Sequence, residues 1–527
     1  MTVLCRSGPQ TSSAGLSCIR HNQHEAEQLR AQQAQGKPYC LCLLLAAEVA
    51  IETGTFFDAD NFHDSSQDHF NSTAHDSDSD TNSIHTREVR NANMHAAWSA
   101  QIHVLADAYL HWKHSPRDNT ESHQAVHRFH IIKIDIFNYH PVFGLLGCSP
   151  TTPTVAITLQ CLELCHQLRH RQSSFSIQAF TKVLCALHNV TYIKSFHEQF
   201  TIAFNVYLAI IREVQSRIDV ALGRSDPDWR LHNSCPACTV KQPDKVPLFP
   251  ASLSAMDGNN SAKRMDSVGS TDHRIFPSRY MITSSDVDRF KDDVSLSANS
   301  ASGSENTVHM FEQTGIFLSA CRHGIIQTLT EMRCSGELAK YPLATINKLI
   351  DVFGDHLGIG TNIGCSLRKT KAADHHLILA VNAFHGHAHN HKCQLQHHPL
   401  YLCGFGLEDL ETCERVFTAS NAAAPLIHHA SHFHYVQFLE LHFGQWDIDK
   451  YLELSWFLLN NYKQALTMIS DYTKELEAYC ATFPEEELDF ESWIAEEFAY
   501  LEAVAVEPAQ DATAVEYIEA LKKLEKC

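Results

Sequence analysis

The chain has 527 residues, 44% of them hydrophobic, which is enough for roughly two to four domains and excludes a largely disordered protein. The formal net charge of −20 excludes a protein coated in basic residues, so a DNA-binding surface would have to be local. Candidates for such a surface are Lys263 with Arg264, and the cluster of Arg368, Lys369 and Lys371. Scattered, solvated side chains are the alternative interpretation of both groups.

The number and distribution of the cysteines indicate in which cellular compartment the protein folds. Eighteen cysteines are spread along the chain without a secretory signal at its start, so we expect reduced thiols in the cytosol or the nucleus. The apolar run at residues 40–49 is shorter than the roughly 20 residues of a membrane span, so no membrane association is expected. Cys40 and Cys42 form a lone C-x-C pair, which is too little for a zinc site of four ligands.

Residues 1–90 form a variable N-terminal region. Within it, residues 58–83 are acidic, rich in serine and poor in apolar side chains, as in a disordered linker. Such a composition cannot bury enough apolar surface to fold.

Residues 91–232 are predicted to be mostly helical. Apolar residues recur at steps of three and four over residues 94–113, which predicts an amphipathic helix, and a further helix is predicted over 201–222. Residues 128–137 alternate between apolar and polar side chains, as in a short strand. The prolines before residue 154 predict the start of another helix there.

The segment CPAC spaces Cys235 and Cys238 one helical turn apart, so that two thiolates can reach one tetrahedral zinc ion. Two ligands are half of a site, and the other half could come from His385, His389 or Cys393. A redox C-x-x-C and a pair of buried, unliganded cysteines are the alternatives. The sequence therefore predicts a structural Zn²⁺ without fixing its ligands.

A candidate catalytic carboxylate follows a predicted strand. Residues 251–256 alternate in polarity, and Asp257 comes at the strand's end, where Gly258 allows the chain to turn at once. A carboxylate in such a position can bind a divalent cation. An ordinary Asp-Gly hairpin turn is the alternative.

Histidine, cysteine and carboxylate side chains are concentrated in residues 384–421. His385, His389 and Cys393 follow one another at intervals of four, so in a helix they share one face, as metal ligands or proton carriers must. In an extended segment, the histidines at every second position from His385 to His391 share a face instead. An ordinary loop in a chain with 36 histidines is the third reading, and the spacing leaves all three open.

Residues 431–527 form a helical, acidic C-terminal region. Aliphatic and aromatic residues recur there at helical spacing, and the part beyond Pro484 is rich in glutamate. Because this charge would repel DNA, we expect packing or protein contact from it.

Several long segments, in order, resemble the core of the Kyakuja-Dileera-Zisupton (KDZ) transposases of fungal type. The likeness covers roughly residues 95–525, and long motifs in a fixed order are a specific signal. The segments that carry it are SPTTPTVAITLQCLELC (149–165), SFSIQAFTKVLCALHN (174–189), LHNSCPACTV (231–240), AMDGNNSAKR (255–264), TGIFLSACRHG (314–324), SGELAKYPLA (335–344), VNAFHGHAHNHKCQ (381–394), HPLY (398–401), GFGLEDLETCERVF (404–417), ASN (419–421) and LLNNYKQAL (458–466).

The resemblance implies a mixed α/β fold, with an RNase H-like transposase core at residues 233–430 between mostly α-helical regions. It also implies DNA strand cleavage and transfer at transposon ends by a two-metal DDE-type mechanism, with Mg²⁺ or Mn²⁺ in the catalytic site. The expected partner is DNA, the chain is a candidate homo-oligomer, and the expected compartment is the nucleus, with the cytoplasm as the alternative.

The resemblance also implies roles for individual residues. Asp257 matches the first catalytic aspartate. CERVF resembles the Glu-Arg-x-Phe-Ser segment of the hAT transposases, which nominates Glu414 as the third carboxylate ahead of its neighbours Glu411 and Glu408. AHN resembles a histidine-centred hAT segment, which nominates His389 for a position near the scissile phosphate. A solvated helix face with mixed charges is the alternative for these residues.

One departure from the family matters for catalysis. Asn362 stands where the resemblance calls for the second aspartate, and an amide oxygen is a neutral, weaker ligand for Mg²⁺ than a carboxylate. The sequence therefore predicts a transposase-like protein with impaired chemistry. A catalytically inactive, domesticated or decayed derivative that binds DNA or protein is the alternative, and a histidine-rich metal-storage protein rests on composition alone.

Overall fold

The computed structural model describes residues 41–42, 79–114, 132–134, 144–151, 153–241, 243–291, 310–367, 374–484, 488–504 and 512–524. Most of the predicted linker, and the basic cluster at residues 368–371, lie outside these ranges. The chain divides into two compact units, Met1–Arg171 with Phe175–Gly223 and Gln172–Ser174 with Arg224–Cys527.

The first unit combines a small sheet with helices. Its strands lie in the order β1-β3-β4-β2, antiparallel between β3 and β4 and parallel at both edges. Helix α1 packs against α4 through buried aromatic side chains that include Tyr109 and Tyr207. The described elements are β1 Leu41–Cys42, α1 Ser79–His114, β2 Ile132–Ile134, β3 Gly144–Gly147, β4 Val155–Thr158, α2 Leu159–Arg171, α3 Ile177–Leu187 and α4 Lys194–Ala221.

The sequence patterns of this unit are mostly confirmed. Helices α1 and α4 cover the two predicted amphipathic segments, and β2 lies in the predicted strand. Helix α1 begins at Ser79, however, inside the predicted linker. The helix predicted from residue 154 begins only at Leu159, because the β-branched residues of Val155–Thr158 form the buried strand β4.

The second unit is built on a six-stranded mixed sheet. The central strand β5 pairs in antiparallel fashion with β7 and in parallel fashion with β9, which pairs in parallel with β10. Strands β6 and β8 both pair with β7. The strands are β5 Ser252–Asn259, β6 Arg264–Met265, β7 Phe311–Cys321, β8 Ile326–Arg333, β9 Leu357–Gly360 and β10 Ile378–Ala380.

Helices cover both faces of this sheet. One face packs on α8, and the other packs on α12 and the first part of the long helix α14, so β5 is buried on both sides. The mixed α/β fold class is therefore confirmed. The helices are α5 Trp229–Asn233, α6 Pro236–Thr239, α7 Ser284–Asp288, α8 Lys340–Phe353, α9 Gly364–Leu367, α10 Ala383–Gly386, α11 His391–His397, α12 Thr412–Ser420, α13 Ala424–Ile427, α14 His432–Cys480, α15 Phe490–Val504 and α16 Ala512–Leu524.

The sheet brings polar side chains together at one edge. Strands β5, β9 and β10 are parallel, so their carboxyl ends meet at the same edge. Asp257 lies near the end of β5, Asn362 two residues after β9, and Asn382 two residues after β10. In an open sheet with parallel strands, this edge is where ligands usually bind.

Two details of the sequence analysis are corrected here. The chain does not turn at Gly258, because β5 continues to Asn259 and Gly258 pairs with Phe317 of β7. Arg264 is not available to DNA: it is 2% exposed, forms an ion pair with Glu312 and donates from Nε to Gln313 Oε1 at 2.6 Å. A buried, fully paired guanidinium serves the core of the unit.

The described cysteines are all free thiols. None of the helices in the described part of the chain combines the length and the hydropathy of a membrane span.

Candidate functional site

The first candidate group consists of Asp257, His385 and Glu414, with one ligand atom from each within 4.8 Å of the others. Asp257 comes from the buried odd-numbered face of β5, which packs on α12, and α12 carries Glu414. His385 comes from α10 after strand β10. Asp257 is buried, whereas Glu414 is exposed to solvent, so the group opens to the surface on one side.

The negative charges of Asp257 and Glu414 favour the binding of a cation between them. Burial, aided by the charge of Glu414, raises the pKa of Asp257 to about 6, although the Gly258 amide, His385 and Asn362 oppose the rise. Two carboxylates this close repel each other unless a positive charge lies between them. Carboxylate oxygens are also the ligands that Mg²⁺ prefers, so the residues present fit a divalent cation.

Asn362 contacts the first aspartate directly. Its Nδ2 donates to Asp257 Oδ1 at 3.0 Å, and its Oδ1 accepts from Asn382 Nδ2 at 3.2 Å. The Gly258 amide donates to the same Asp257 oxygen at 2.7 Å. The residue that stands at the position expected for a second aspartate thus donates a hydrogen bond to Asp257.

The other carboxylates after the histidine-rich segment have different partners. Glu411 Oε1 accepts from the backbone amide of Phe384 at 2.8 Å, and Glu408 pairs with Arg322 at 3.3 Å. Asp409 forms an ion pair with Arg415 at 2.8 Å. Among these candidates, the geometry brings only Glu414 to Asp257.

The CPAC cysteines form a second group with Cys321 and His323. The Nδ1 atom of His323 lies 3.5 Å from Cys235 Sγ, 3.2 Å from Cys238 Sγ and 4.0 Å from Cys321 Sγ. A tetrahedral zinc ion with bonds of about 2.0–2.3 Å holds its ligand atoms about 3.5–3.8 Å apart. Three thiols and one imidazole at these separations make a complete zinc ligand set.

The local structure explains how these four side chains meet. Cys235 precedes the short helix α6, which contains Cys238, while Cys321 ends β7 and His323 lies in the turn to β8. Hydrogen bonds from Cys238 and Cys321 lower the pKa of the Cys235 thiol. The ring of Phe457 packs edge-on against His323, with 5.8 Å between ring centroids. The partners of the CPAC pair are therefore not His385, His389 or Cys393, which lie in the other two groups.

A third group joins Cys365, His389 and Cys393. His389 Nδ1 lies 3.6 Å from Cys365 Sγ and 3.3 Å from Cys393 Sγ. Helices α10 and α11 are separate, so the histidine-rich segment is not one continuous helix, and the spacing of four does not bring His385 to His389. Three half-buried ligands can hold a metal such as zinc with its fourth position free.

Residues 250–447 match the family model described as the Kyakuja-Dileera-Zisupton transposase, KDZ. The chain contains a KDZ transposase domain. The match covers less than half of the chain, and it includes the whole group of Asp257, His385 and Glu414, together with Asn362. No curated protein and no solved structure gives a significant match.

The sequence analysis missed Cys321, His323 and Cys365 as metal ligands. Cys321 and His323 lie in the C-x-H of SACRHG, a segment quoted for the KDZ resemblance, and Cys365 comes three residues after Asn362. The signal was thus a second, short cysteine-histidine pair far from CPAC. Nothing in the spacing links the two pairs, which meet only in the folded chain, where Arg230 just before CPAC donates to the carbonyl oxygens of Ile326 and Gln327 after His323.

Gly364 follows the turn that contains Asn362, and its backbone lies close to strand β10. A side chain at this position would meet the carbonyl oxygen of Ala380 well inside van der Waals contact. We expect Gly364→Ala to displace the turn and lower the free energy of unfolding by about 1–3 kcal/mol, because backbone cannot move aside easily. Urea denaturation measures this, with Gly444→Ala as a control at a glycine of α14 where the nearest atom outside the helix's own backbone, Tyr280 Oη, would be 4.0 Å away. An unchanged stability of Gly364→Ala relative to the control would contradict this account of the turn.

Proposed function

We propose that this chain acts on DNA as a transposase of the fungal KDZ type, cleaving and joining strands at transposon ends by a two-metal DDE-type mechanism. The observation that carries the proposal is the group of Asp257, His385 and Glu414 inside the KDZ domain. Its position at the carboxyl end of β5 supports an RNase H-like core, and DNA as the substrate implies the nucleus as the compartment.

In this proposal Asp257 and Glu414 hold Mg²⁺ or Mn²⁺. When bound, the cations would activate a water or the 3′-hydroxyl of a DNA strand as the nucleophile and would offset the negative charge of the phosphate. The protein's own contribution is to fix the carboxylates: the Gly258 amide orients Asp257, and α12, whose buried face packs on the sheet, presents Glu414 from its exposed side. One ring nitrogen of His385 lies within 4.8 Å of both carboxylates, and His385 lowers the pKa of Asp257. His385 can therefore stabilise the negative charge of Asp257 or bind a phosphate of the DNA.

In the same proposal, a bound zinc ion has a structural role. The ligand set of Cys235, Cys238, Cys321 and His323 ties α6 to the β7–β8 turn at the edge of the sheet. A closed set of four ligands leaves no position for a substrate, which is typical of a structural zinc site. The group of Cys365, His389 and Cys393 is a weaker second zinc site, and its sulfur neighbours argue against a role for His389 at the phosphate.

The second candidate function is a catalytically inactive KDZ derivative that binds DNA or protein. Asn362 is the specific observation in its favour, because its Nδ2 donates to Asp257 where a second carboxylate would bind metal. The proposed enzyme is impaired for the same reason. The two candidates differ in whether restoring the charge at this position restores chemistry.

Restoring that charge is expected to raise activity. In Asn362→Asp we expect Mn²⁺ affinity and Mn²⁺-dependent nicking of supercoiled DNA to rise about tenfold or more, because affinity in such sites follows the number of carboxylate ligands. Titration calorimetry and gel assays of the full chain measure both. Asn460→Asp, on the exposed part of α14, adds the same charge elsewhere and should change neither.

The outcomes separate the two candidates. Activity of the unaltered chain that rises with Asn362→Asp supports the impaired enzyme. Tighter metal binding without nicking in either protein supports the inactive derivative. An Asn362→Asp chain that binds Mn²⁺ no better than the control would contradict both accounts of Asn362.

A further inference from the structure

We propose that the second half of helix α14 is a dimerisation surface, which pairs in antiparallel fashion with the same segment of a second copy of this chain. This surface, the seam, begins after residue 447, where the KDZ match ends, so the inference goes beyond the proposed function and does not depend on the metal site. The seam consists of six apolar side chains that recur at steps of three, four or seven residues: Leu452, Leu459, Tyr462, Leu466, Ile469 and Leu476.

The spacing of the seam is that of a coiled coil. With Leu452 at the first position (a) of a seven-residue repeat, all six side chains fall on positions a and d of residues 452–476, and Ser455 and Thr473 complete the pattern. Apolar residues at positions a and d over more than three repeats predict a coiled coil rather than an ordinary surface helix. At a rise of 1.5 Å per residue, the seam is about 36 Å long.

In the described part of the chain, the seam is open to solvent. Leu454 is the last buried residue of α14, and the six seam side chains are 41–69% exposed. Leu454 and Phe457 face the protein, the latter against the ring of His323. Since successive residues of a helix are rotated by about 100°, these two side chains lie on the side of α14 opposite to the seam. A continuous apolar stripe that faces away from the core of its own unit marks an interaction site.

The amount of apolar surface matches what a stable dimer needs. With their neighbours Trp456, Leu458 and Tyr472, the seam residues make nine large apolar side chains, all 41–69% exposed. At roughly half exposure these side chains offer on the order of 800 Å² per copy, which is one partner's share of a standard interface. Because one apolar a/d seam is complementary to another of the same kind, two copies can pair about a two-fold axis with the same surface on each side.

The charges beside the seam favour the antiparallel orientation. Lys463 and Glu477 both occupy position e, two repeats apart. In a parallel pair, position e of one helix meets position g of the other, and the g residues next to these two charges are the apolar Leu458 and Tyr472. In an antiparallel pair, the e positions of both helices lie on the same flank. Lys463 of each copy can then form an ion pair with Glu477 of the other.

Sedimentation velocity of the full chain over a range of micromolar concentrations tests the proposal. We expect the unaltered chain to be a dimer. Leu466→Glu should raise the dissociation constant of the dimer about a hundredfold or more, because each copy loses an apolar contact and gains a charge within the seam. Gln464→Glu, which adds the same charge at an exposed position on the other side of α14, should leave the dimer unchanged. Circular dichroism should show the same helix content in both variants, since Leu466 is not buried in the single chain.

A charge exchange tests the orientation. Lys463→Glu and Glu477→Lys should each raise the dissociation constant about tenfold, because each substitution brings like charges together at both ends of the pair. The double variant that carries both substitutions should regain most of the lost affinity. In a parallel pair neither single substitution would have this effect, because the two positions never meet.

Each outcome supports or overturns the proposal. A chain that sediments as a monomer at every concentration would overturn it, and would leave the seam to a different protein or to another segment of this chain. A dimer that Leu466→Glu leaves intact would overturn it as well, since its interface would lie elsewhere. A dimer that depends on Leu466 but not on Lys463 or Glu477 would overturn the antiparallel orientation. Mn²⁺ binding should be the same in all these variants, so failure of this inference is distinct from failure of the proposed function.

Discussion

Replacing Asp257 with asparagine is expected to abolish Mn²⁺ binding and all metal-dependent nicking of DNA. Asp257 is the buried carboxylate of the group that it forms with Glu414 and His385, so its replacement removes the central ligand of the group. A loss of a thousandfold or more in nicking is expected, on the order of what removing a member of a catalytic set costs. Calorimetry and supercoiled-plasmid assays of the full chain, in the Asn362→Asp background where activity is highest, measure the two effects.

The same substitution should stabilise the metal-free protein. The pKa of Asp257 is raised in the folded state, so the folded chain binds its proton more tightly and stability falls as pH rises from about 4 through about 6. Above that range the carboxylate destabilises the fold, and Asp257→Asn should raise the free energy of unfolding by about 1–2 kcal/mol at pH 7. A variant that loses metal binding because it unfolds would contradict this expectation, and so would one that keeps its nicking activity.

Removing Cys321 from the proposed zinc site is expected to have the largest effect on stability. Cys321→Ser should lower the free energy of unfolding by about 3 kcal/mol or more, because metal binding at a closed site is coupled to folding and the other three ligands, one buried and two half-buried, would be left without their ion. For a unit of this size the melting temperature would fall by roughly 10 °C. Thermal unfolding followed by circular dichroism measures this, and a strong chelator should reproduce it in the unaltered chain.

Zinc content distinguishes the two cysteine groups. Mass spectrometry of the metal should find one tightly held zinc per chain, lost in Cys321→Ser, and a weaker second zinc lost in Cys393→Ser. The exposed Cys403 offers a matched control, since Cys403→Ser removes a thiol that belongs to neither group. Zinc that remains fully bound in Cys321→Ser would contradict the ligand set.

The sequence predicted elements well where one local pattern determined them. The helices α1, α4 and α14 follow the spacing of their apolar residues, and β5 follows the alternation before Asp257. Strand β4 was missed because Val155–Thr158 are too few residues to show alternation, and the prolines before them are equally compatible with a helix start.

The candidate site could be predicted only in part, because its side chains are far apart in the sequence and meet only in the folded chain. Asp257 and Glu414 were identified through the KDZ resemblance, and the structure brings them together across 157 positions of sequence through the packing of α12 on β5. Cys321 and His323 reach the CPAC pair through the sheet.

The position of bound Mn²⁺ tests the central claim, that the KDZ domain holds a divalent-cation site, most directly. Anomalous diffraction from crystals of the full chain grown with Mn²⁺ would locate the ion without reference to activity. The account predicts an anomalous peak within bonding distance of the Asp257 and Glu414 carboxylates, separate from any zinc at the cysteine groups. Mn²⁺ found elsewhere, with no peak between Asp257 and Glu414 at saturating concentration, would contradict it.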